Sequence, residues 1–199
     1  MDRLGVFVVP AVGVAGLDWS THRESHVTTE PDKTLHEVGK YLRLALKGNP
    51  TITELLWLDA YDVETPAGRA LIDLRGAFLS EAAVRNAYGG YARQQATKLR
   101  NRGDGSFSAD TRGRTAKHGR HLLRLLRQGR ELLETGHLTV KVKHRPDYFA
   151  FDSMSPEEML DVYAYEHARF RAAKSVLPPE PDRERVAATL RALRLSYLS

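Results

Sequence analysis

The feature that most constrains the fold is a long amphipathic segment, residues 114–133. At about 100° per residue, the apolar side chains of this segment fall on one side of a helix. They are Leu122, Leu125, Leu126, Leu132 and Leu133. On the other side, within about 80° of one another, fall Lys117, Arg120, Arg124 and Arg127. The pattern predicts a helix with one face in a core and a cationic stripe on the other.

Positive charge is concentrated around this helix. The chain of 199 residues holds 30 Lys or Arg and 25 Asp or Glu, a net charge of +5. Residues 91–130 hold eleven basic and two acidic residues, a balance of +9, so the other 159 residues sum to −4. A clustered cationic field attracts polyanions, and arginine forks hold phosphate oxygens. We therefore expect the stripe either to bind a triphosphate or a nucleic-acid backbone, or to pair with carboxylates elsewhere on the surface.

Several classes of protein are excluded or disfavoured. The absence of cysteine excludes disulfides, thiolate nucleophiles and cysteine-rich zinc sites, and favours the cytoplasm. The longest apolar run, residues 4–17, is interrupted by Pro10 and is shorter than the ~20 residues of a membrane helix. No signal peptide, Walker loop, zinc-protease helix or serine-hydrolase elbow is recognisable. His118 and His121 lie among cations, which favours a solvated or phosphate-facing role over metal binding.

Hydrophobic periodicity and capping residues divide the chain into elements. Strands are predicted at 4–9, 26–30 and 138–143, the last as a half-exposed edge. Helices are predicted at 34–47, 51–58, 65–74, 81–100, 114–133, 156–174 and 181–195, and loops at 101–112 and 177–182. Thr34 with Glu37, and Ser155 with Glu158, have the spacing of capping boxes. The predicted class is α+β with helices dominant, in which a small N-terminal mixed sheet precedes a helical region.

The order of these segments resembles a known family. The residues that carry the resemblance are DRLGVFVVP at 2–10, HEVGKYLRLALKGNP at 36–50, ELLW at 54–57, AYGGYA at 87–92 and KHGRHLLRLL at 117–126. This order is similar to that of the RNA-repair-associated predicted nucleotidyltransferases of the DNA polymerase β superfamily. The resemblance extends to about residue 143, and its most specific part is the helix followed by Lys-Gly-Asn-Pro and Glu-Leu-Leu-Trp. It implies a nucleotidyltransferase-like α/β portion over 1–76 and a helical region over 77–199.

The resemblance also implies metal-assisted transfer of a nucleotide from a nucleoside triphosphate to an RNA end or another polynucleotide. In this superfamily two carboxylates at i and i+2 on one strand, and a third on a neighbouring strand, hold two Mg²⁺ ions. Asp2 matches the second carboxylate and Asp32 is the candidate for the third, although Asp32 is equally explained as an acid near a helix N-terminus. Lys117 and Arg124 are expected to face the triphosphate or the RNA, with Lys40 a weaker candidate.

One part of the family pattern is missing. The Gly-Ser turn and the first carboxylate belong before Asp2, where the sequence has Met1 alone. The resemblance therefore implies a polypeptide that begins inside the catalytic motif, through a start codon assigned too far downstream or as a degenerate copy. Because positioning and charge neutralisation supply most of this catalysis, the 199-residue form is expected to be inactive or weak.

Two other functions remain open. The first is a non-catalytic basic helical module that binds nucleic acid or a protein partner, because such a module does not need the missing motif residues. The second is a nucleotidyltransferase that modifies a protein or a small molecule, since the fold handles the nucleotide and does not determine the acceptor.

The missing motif gives a first prediction. If the start codon was assigned too far downstream, the DNA immediately upstream of the Met1 codon, translated in frame, should encode a Gly-Ser pair followed roughly ten residues later by an acid two positions before Asp2. That spacing places both acids on the same face of a strand. Sequencing of the genomic locus provides the measurement, and a stop codon or an unrelated sequence at this place would contradict the downstream-start explanation.

Overall fold

The computed structural model describes residues 3–7, 25–30, 32–101, 109–142 and 144–197. Its strands are β1 (Arg3–Phe7), β2 (Ser25–Thr29) and β3 (Asp32–Glu37). Its helices are α1 (Val38–Leu46), α2 (Pro50–Leu55), α3 (Pro66–Asp73), α4 (Glu81–Arg100), α5 (Ala109–Thr135), α6 (Arg145–Phe149), α7 (Pro156–Ala172) and α8 (Arg183–Leu195). Short 3₁₀ turns lie at Arg75–Phe78 and Ala150–Asp152. The α+β class with dominant helices is confirmed.

The sheet is mixed, with β3 in the centre. β1 runs parallel to β3, with Arg3 opposite Lys33 and Phe7 opposite Glu37. β2 runs antiparallel to β3, with Ser25 opposite His36. The predicted start of a helix at residue 34 is wrong, because residues 32–37 form the central strand and the helix begins at Val38. The apolar spacing that begins at Leu35 suits a helix, but β3 forms backbone hydrogen bonds with a strand on each side, and this pairing decides the structure of residues 32–37.

The predicted capping box of Thr34 and Glu37 is therefore also wrong. Thr34 lies inside β3, opposite Val27. Glu37 is itself the N-cap of α1, and its Oε2 accepts a hydrogen bond from the Gly39 N–H at 2.8 Å. The strand thus passes into the helix without a loop, and one carboxylate satisfies a backbone donor of the first turn.

The chain forms two compact units, of which the first comprises Met1–Leu79 and Glu180–Ser199. Its core joins α1 to α8: Val38 and Leu42 belong to the same buried cluster as Val186, Leu190 and Leu193. From the sequence, the C-terminal helix was expected to belong to the helical region 77–199. In the structure it belongs to the first unit, because its apolar face completes the core around α1.

A buried ion pair connects the same two helices. Arg194 Nη2 lies 3.1 Å from Oε1 and 3.2 Å from Oε2 of Glu37. The two side chains are 0% and 1% exposed, respectively. Glu37 thus ends β3, caps α1 and pairs with α8, so three elements meet at one carboxylate.

The second unit, Ser80–Pro179, is helical, and α4, α5 and α7 pack together in it. The predicted core side of α5 is confirmed, because the five leucines predicted to face the core are all buried. Gly129 of α5 allows the helices to approach closely: a Cβ there would lie 2.8 Å from atoms of both Tyr88 and Phe170. The unit is therefore built around a leucine-lined helix in close contact with two others.

The predicted strand at 138–143 is wrong for residues 138–142, which form neither helix nor strand; residue 143 lies outside the described residues. Leu138 is buried, and the N–H and Oγ1 of Thr139 donate hydrogen bonds to Glu131 at 2.9 and 2.5 Å. This segment thus bonds to a helix side chain rather than to a neighbouring strand. Periodicity alone cannot distinguish these two arrangements.

The other predicted helices are present, with small differences at their ends. The bounds of α4 agree with the prediction, and the capping box of Ser155 and Glu158 is confirmed. α5 begins at Ala109, so it includes the end of the predicted loop at 101–112, and α6 was not predicted. Within the residues described above, no helix is long and apolar enough to cross a membrane.

The buried ion pair gives a stability prediction. We expect Arg194→Met to lower the free energy of unfolding by about 3–5 kcal/mol, because Glu37 would remain buried without its counter-charge. The double variant Glu37→Gln, Arg194→Met should recover part of this loss, since no unpaired charge is left. Urea denaturation measures the free energy of unfolding of the single and the double variant. Arg191→Met, at an exposed site on the same helix, serves as the control, and an Arg194→Met variant as stable as this control would contradict the prediction.

Candidate functional site

Asp32, the predicted third carboxylate, is exposed at the beginning of β3. It lies opposite Thr29 of β2, at the end of the sheet where β1 also begins. Asp2, the predicted second carboxylate, lies outside the described residues. The residue that follows it, Arg3, lies opposite Lys33, the residue that follows Asp32.

Lys40, the weaker phosphate candidate, belongs to a polar cluster at the other end of the same strand. Its Nζ donates a hydrogen bond of 2.7 Å to Ser25 Oγ, which is also 3.1 Å from Nδ1 of His36. All three side chains are half-buried. Burial lowers the pKa of His36 below its usual range, and the Lys40 ammonium lowers it further, so the imidazole is mainly neutral at pH 7.

Carboxylates pair with two arginines of the cationic stripe on α5, Arg120 and Arg127. Arg120 forms an ion pair with Asp152. Arg127 pairs with Asp147 at 2.7 Å and with the buried Glu166 at 3.0 Å, and its guanidinium lies over the ring of Tyr148. The expectation that the stripe pairs with surface carboxylates is therefore confirmed for these two arginines.

The other two residues of the stripe, Lys117 and Arg124, lie in a different electrostatic environment around His121. Burial lowers the pKa of His121, and the nearby positive charges, Arg124, His118, Lys98 and Lys117, lower it further. In the part of the chain that the structure describes, neither Lys98 nor Lys117 forms an ion pair. We call Lys98, Lys117, His121 and Arg124 the α4–α5 cationic cluster; it contains both residues predicted to face phosphate.

His118 stands beside this cluster and has a structural partner. Its Nδ1 lies 2.7 Å from Oε1 of Gln95 on α4. No group of three or more His, Asp or Glu residues suited to a metal ion occurs among the residues that can be described.

Sequence reasoning missed the Ser25–His36–Lys40 cluster. The signal was the short connection between residues 29 and 32, which is typical of a hairpin. It was missed because residues 34–37 were assigned to a helix, which hides the pairing of Ser25 with His36. Lys98 was also missed as a member of the α4–α5 cationic cluster, because it lies on another helix.

Comparison with known proteins identifies the family. A family model described as "RNA repair pathway DNA polymerase beta family" matches residues 1–160. The chain belongs to this family. Neither the curated proteins nor the solved structures gave a match. Membership in the RNA repair pathway DNA polymerase beta family confirms the resemblance that the sequence motifs indicated, and it points to a nucleotidyltransferase-like function.

The cationic cluster gives a pH prediction. A bound polyphosphate favours the protonated form of His121. In the free protein, burial and the neighbouring cations disfavour that form. The protein therefore takes up a proton when it binds polyphosphate. The affinity for inorganic tripolyphosphate should therefore rise as the pH falls from 8 to 6, by up to about tenfold per pH unit. Calorimetric titration at each pH measures this affinity. His121→Gln should flatten the profile while His144→Gln should not, and an affinity independent of pH in the unaltered protein would contradict the prediction.

Proposed function

We propose that this protein is a metal-dependent nucleotidyltransferase that transfers a nucleotide from a nucleoside triphosphate to an RNA end or another polynucleotide. The observation that carries the proposal is the match to the RNA repair pathway DNA polymerase beta family over residues 1–160. The family name supports both halves of the proposal, the nucleotide chemistry and the RNA acceptor.

The proposal assigns metal binding to Asp2 and Asp32. Its support is the register of the sheet, in which the residues following the two aspartates, Arg3 and Lys33, lie opposite each other on parallel strands. Asp32 is exposed, so its carboxylate is accessible to an ion. Mg²⁺ is commonly held by one or two carboxylates together with water and substrate phosphates, so this small donor set fits the ion.

When bound, Mg²⁺ would neutralise the phosphates and lower the pKa of the attacking hydroxyl. The contribution of the chain would be to hold the ion and the nucleotide in a fixed orientation, which supplies most of the rate in phosphoryl transfer. Lys117 and Arg124 are assigned to phosphate contacts of the triphosphate or the RNA. Among the described residues Lys117 forms no ion pair, and this supports the assignment, because a cation without a counter-charge is available to a polyanion.

A specific observation also favours a second function, a non-catalytic nucleic-acid-binding module. The α4–α5 cationic cluster lies entirely within one compact unit, Ser80–Pro179, which does not contain the proposed carboxylates. Such a cluster can attract an RNA backbone without any metal or transfer step.

The decisive experiment measures Mg²⁺-dependent binding of a fluorescent ATP analogue, followed by extension of a labelled RNA with each nucleoside triphosphate. Asp32→Asn should weaken the Mg²⁺-dependent part of nucleotide binding by about tenfold or more and abolish any extension. Asp73→Asn, at an exposed site on α3, is the matched control and should change neither. Equal binding by the two variants would refute the assignment of Asp32.

The salt dependence of RNA binding separates the two functions. Lys117→Ala should reduce the slope of log affinity against log salt by about one, whereas Lys174→Ala, at an exposed site of the same unit, should not. Salt-dependent RNA binding with no Mg²⁺-dependent nucleotide binding would favour the second function. If both variants retain the full slope, the α4–α5 cationic cluster does not contact RNA.

A further inference from the structure

The Ser25–His36–Lys40 cluster has a directional pattern of hydrogen bonds. A lysine ammonium can only donate, so Ser25 Oγ accepts from Lys40 Nζ at 2.7 Å. When the neutral imidazole of His36 carries its proton on Nε2, Nδ1 accepts the hydroxyl hydrogen of Ser25, whose Oγ is 3.1 Å away. This order requires a neutral imidazole, and burial and Lys40 both favour the neutral form by lowering the pKa of His36.

Such an arrangement activates a hydroxyl. A neutral imidazole can take the proton as the hydroxyl attacks, and a nearby ammonium stabilises the developing negative charge on oxygen. The ammonium of Lys40 also has two further N–H groups with which to hold the oxygens of an anionic substrate. Secondary structure holds the three groups in place. Ser25 and His36 are paired residues of β2 and β3, and Lys40 lies in the first turn of α1.

This cluster is distinct from the proposed carboxylate site. Asp32 and His36 lie on the same face of β3 but four residues apart, a separation of about 13 Å at the usual rise of a strand. A hydroxyl at Ser25 is therefore too far from a metal at Asp32 to attack a phosphorus atom held there. The two sites need not share a substrate or a reaction step.

We propose that Ser25 is a nucleophile that takes up a phosphoryl group, with His36 as its base and Lys40 as the group that holds the phosphoryl oxygens. The ligand class is a tetrahedral phosphoryl compound with a leaving group. In the reaction, Ser25 Oγ forms a bond to phosphorus while the bond from phosphorus to the leaving group breaks. The leaving group departs with the electron pair, and the hydroxyl proton passes to Nδ1 of His36.

The test uses an organophosphorus fluoride as the electrophile, in which fluoride is the leaving group. The protein is incubated with this probe, and peptide mass spectrometry locates the adduct and follows its rate of formation. We expect labelling at Ser25 to exceed labelling at Ser153, although Ser153 is exposed and Ser25 is half-buried. Labelling that is absent at Ser25, or no faster than at Ser153, overturns the proposal.

Variants separate activation from a structural role of the same hydrogen bonds. His36→Gln retains a hydrogen-bonding side chain but cannot take the proton, so the labelling rate should fall roughly a hundredfold. Lys40→Met should also slow labelling, and Lys40→Arg should restore part of the rate. The melting temperature of each variant reports whether the sheet remains folded. Unchanged labelling of Ser25 in a folded His36→Gln variant overturns the proposal.

Discussion

The buried ion pair of Glu37 and Arg194 is the interaction on which the first unit depends. Two charged groups removed from water lose their hydration, and their mutual attraction and hydrogen bonds offset this cost. Glu37 Oε2 accepts hydrogen bonds from the Gly39 N–H and from Arg194, whereas Oε1 has only the ion pair with Arg194 at 3.1 Å. As a consequence the end of β3, the start of α1 and the last helix of the chain are held at one point. The same strand carries Asp32 at its beginning and His36 near its end, so both candidate sites of this unit depend on its position.

Electrostatics divide the cationic helix of the second unit into two functional parts. Arg120 and Arg127 face carboxylates from the segment that follows α5, so their charge serves packing within the unit. Lys117 and Arg124 lie with Lys98 around His121, whose pKa is lowered by burial and further by these cations. A concentration of like charge destabilises the folded chain, and a bound anion reduces the repulsion. Lys117 and Arg124, rather than the whole cationic stripe, are therefore the candidates for phosphate contact.

Much of the fold could be predicted because local signals were strong. The long leucine pattern of α5, the bounds of α4 and the capping box of Ser155 all depend on residues close in sequence. The failures occurred where distant residues decide the outcome. Residues 32–37 have a pattern that also suits a helix, and pairing with two other strands makes them a strand. Residues 138–142 alternate like a strand, but Thr139 bonds to Glu131 and no described strand pairs with them.

The sequence by itself determined the family, the concentration of positive charge and the residues proposed for metal and phosphate contact, because these are properties of residue identity and spacing. The tertiary structure decided that Arg120 and Arg127 pair with carboxylates, which helix completes the first core and that Ser25 meets His36 and Lys40. These outcomes depend on contacts between residues far apart in the chain. A one-residue shift in strand register would turn Ser25 to the opposite face, so only the folded sheet establishes that cluster.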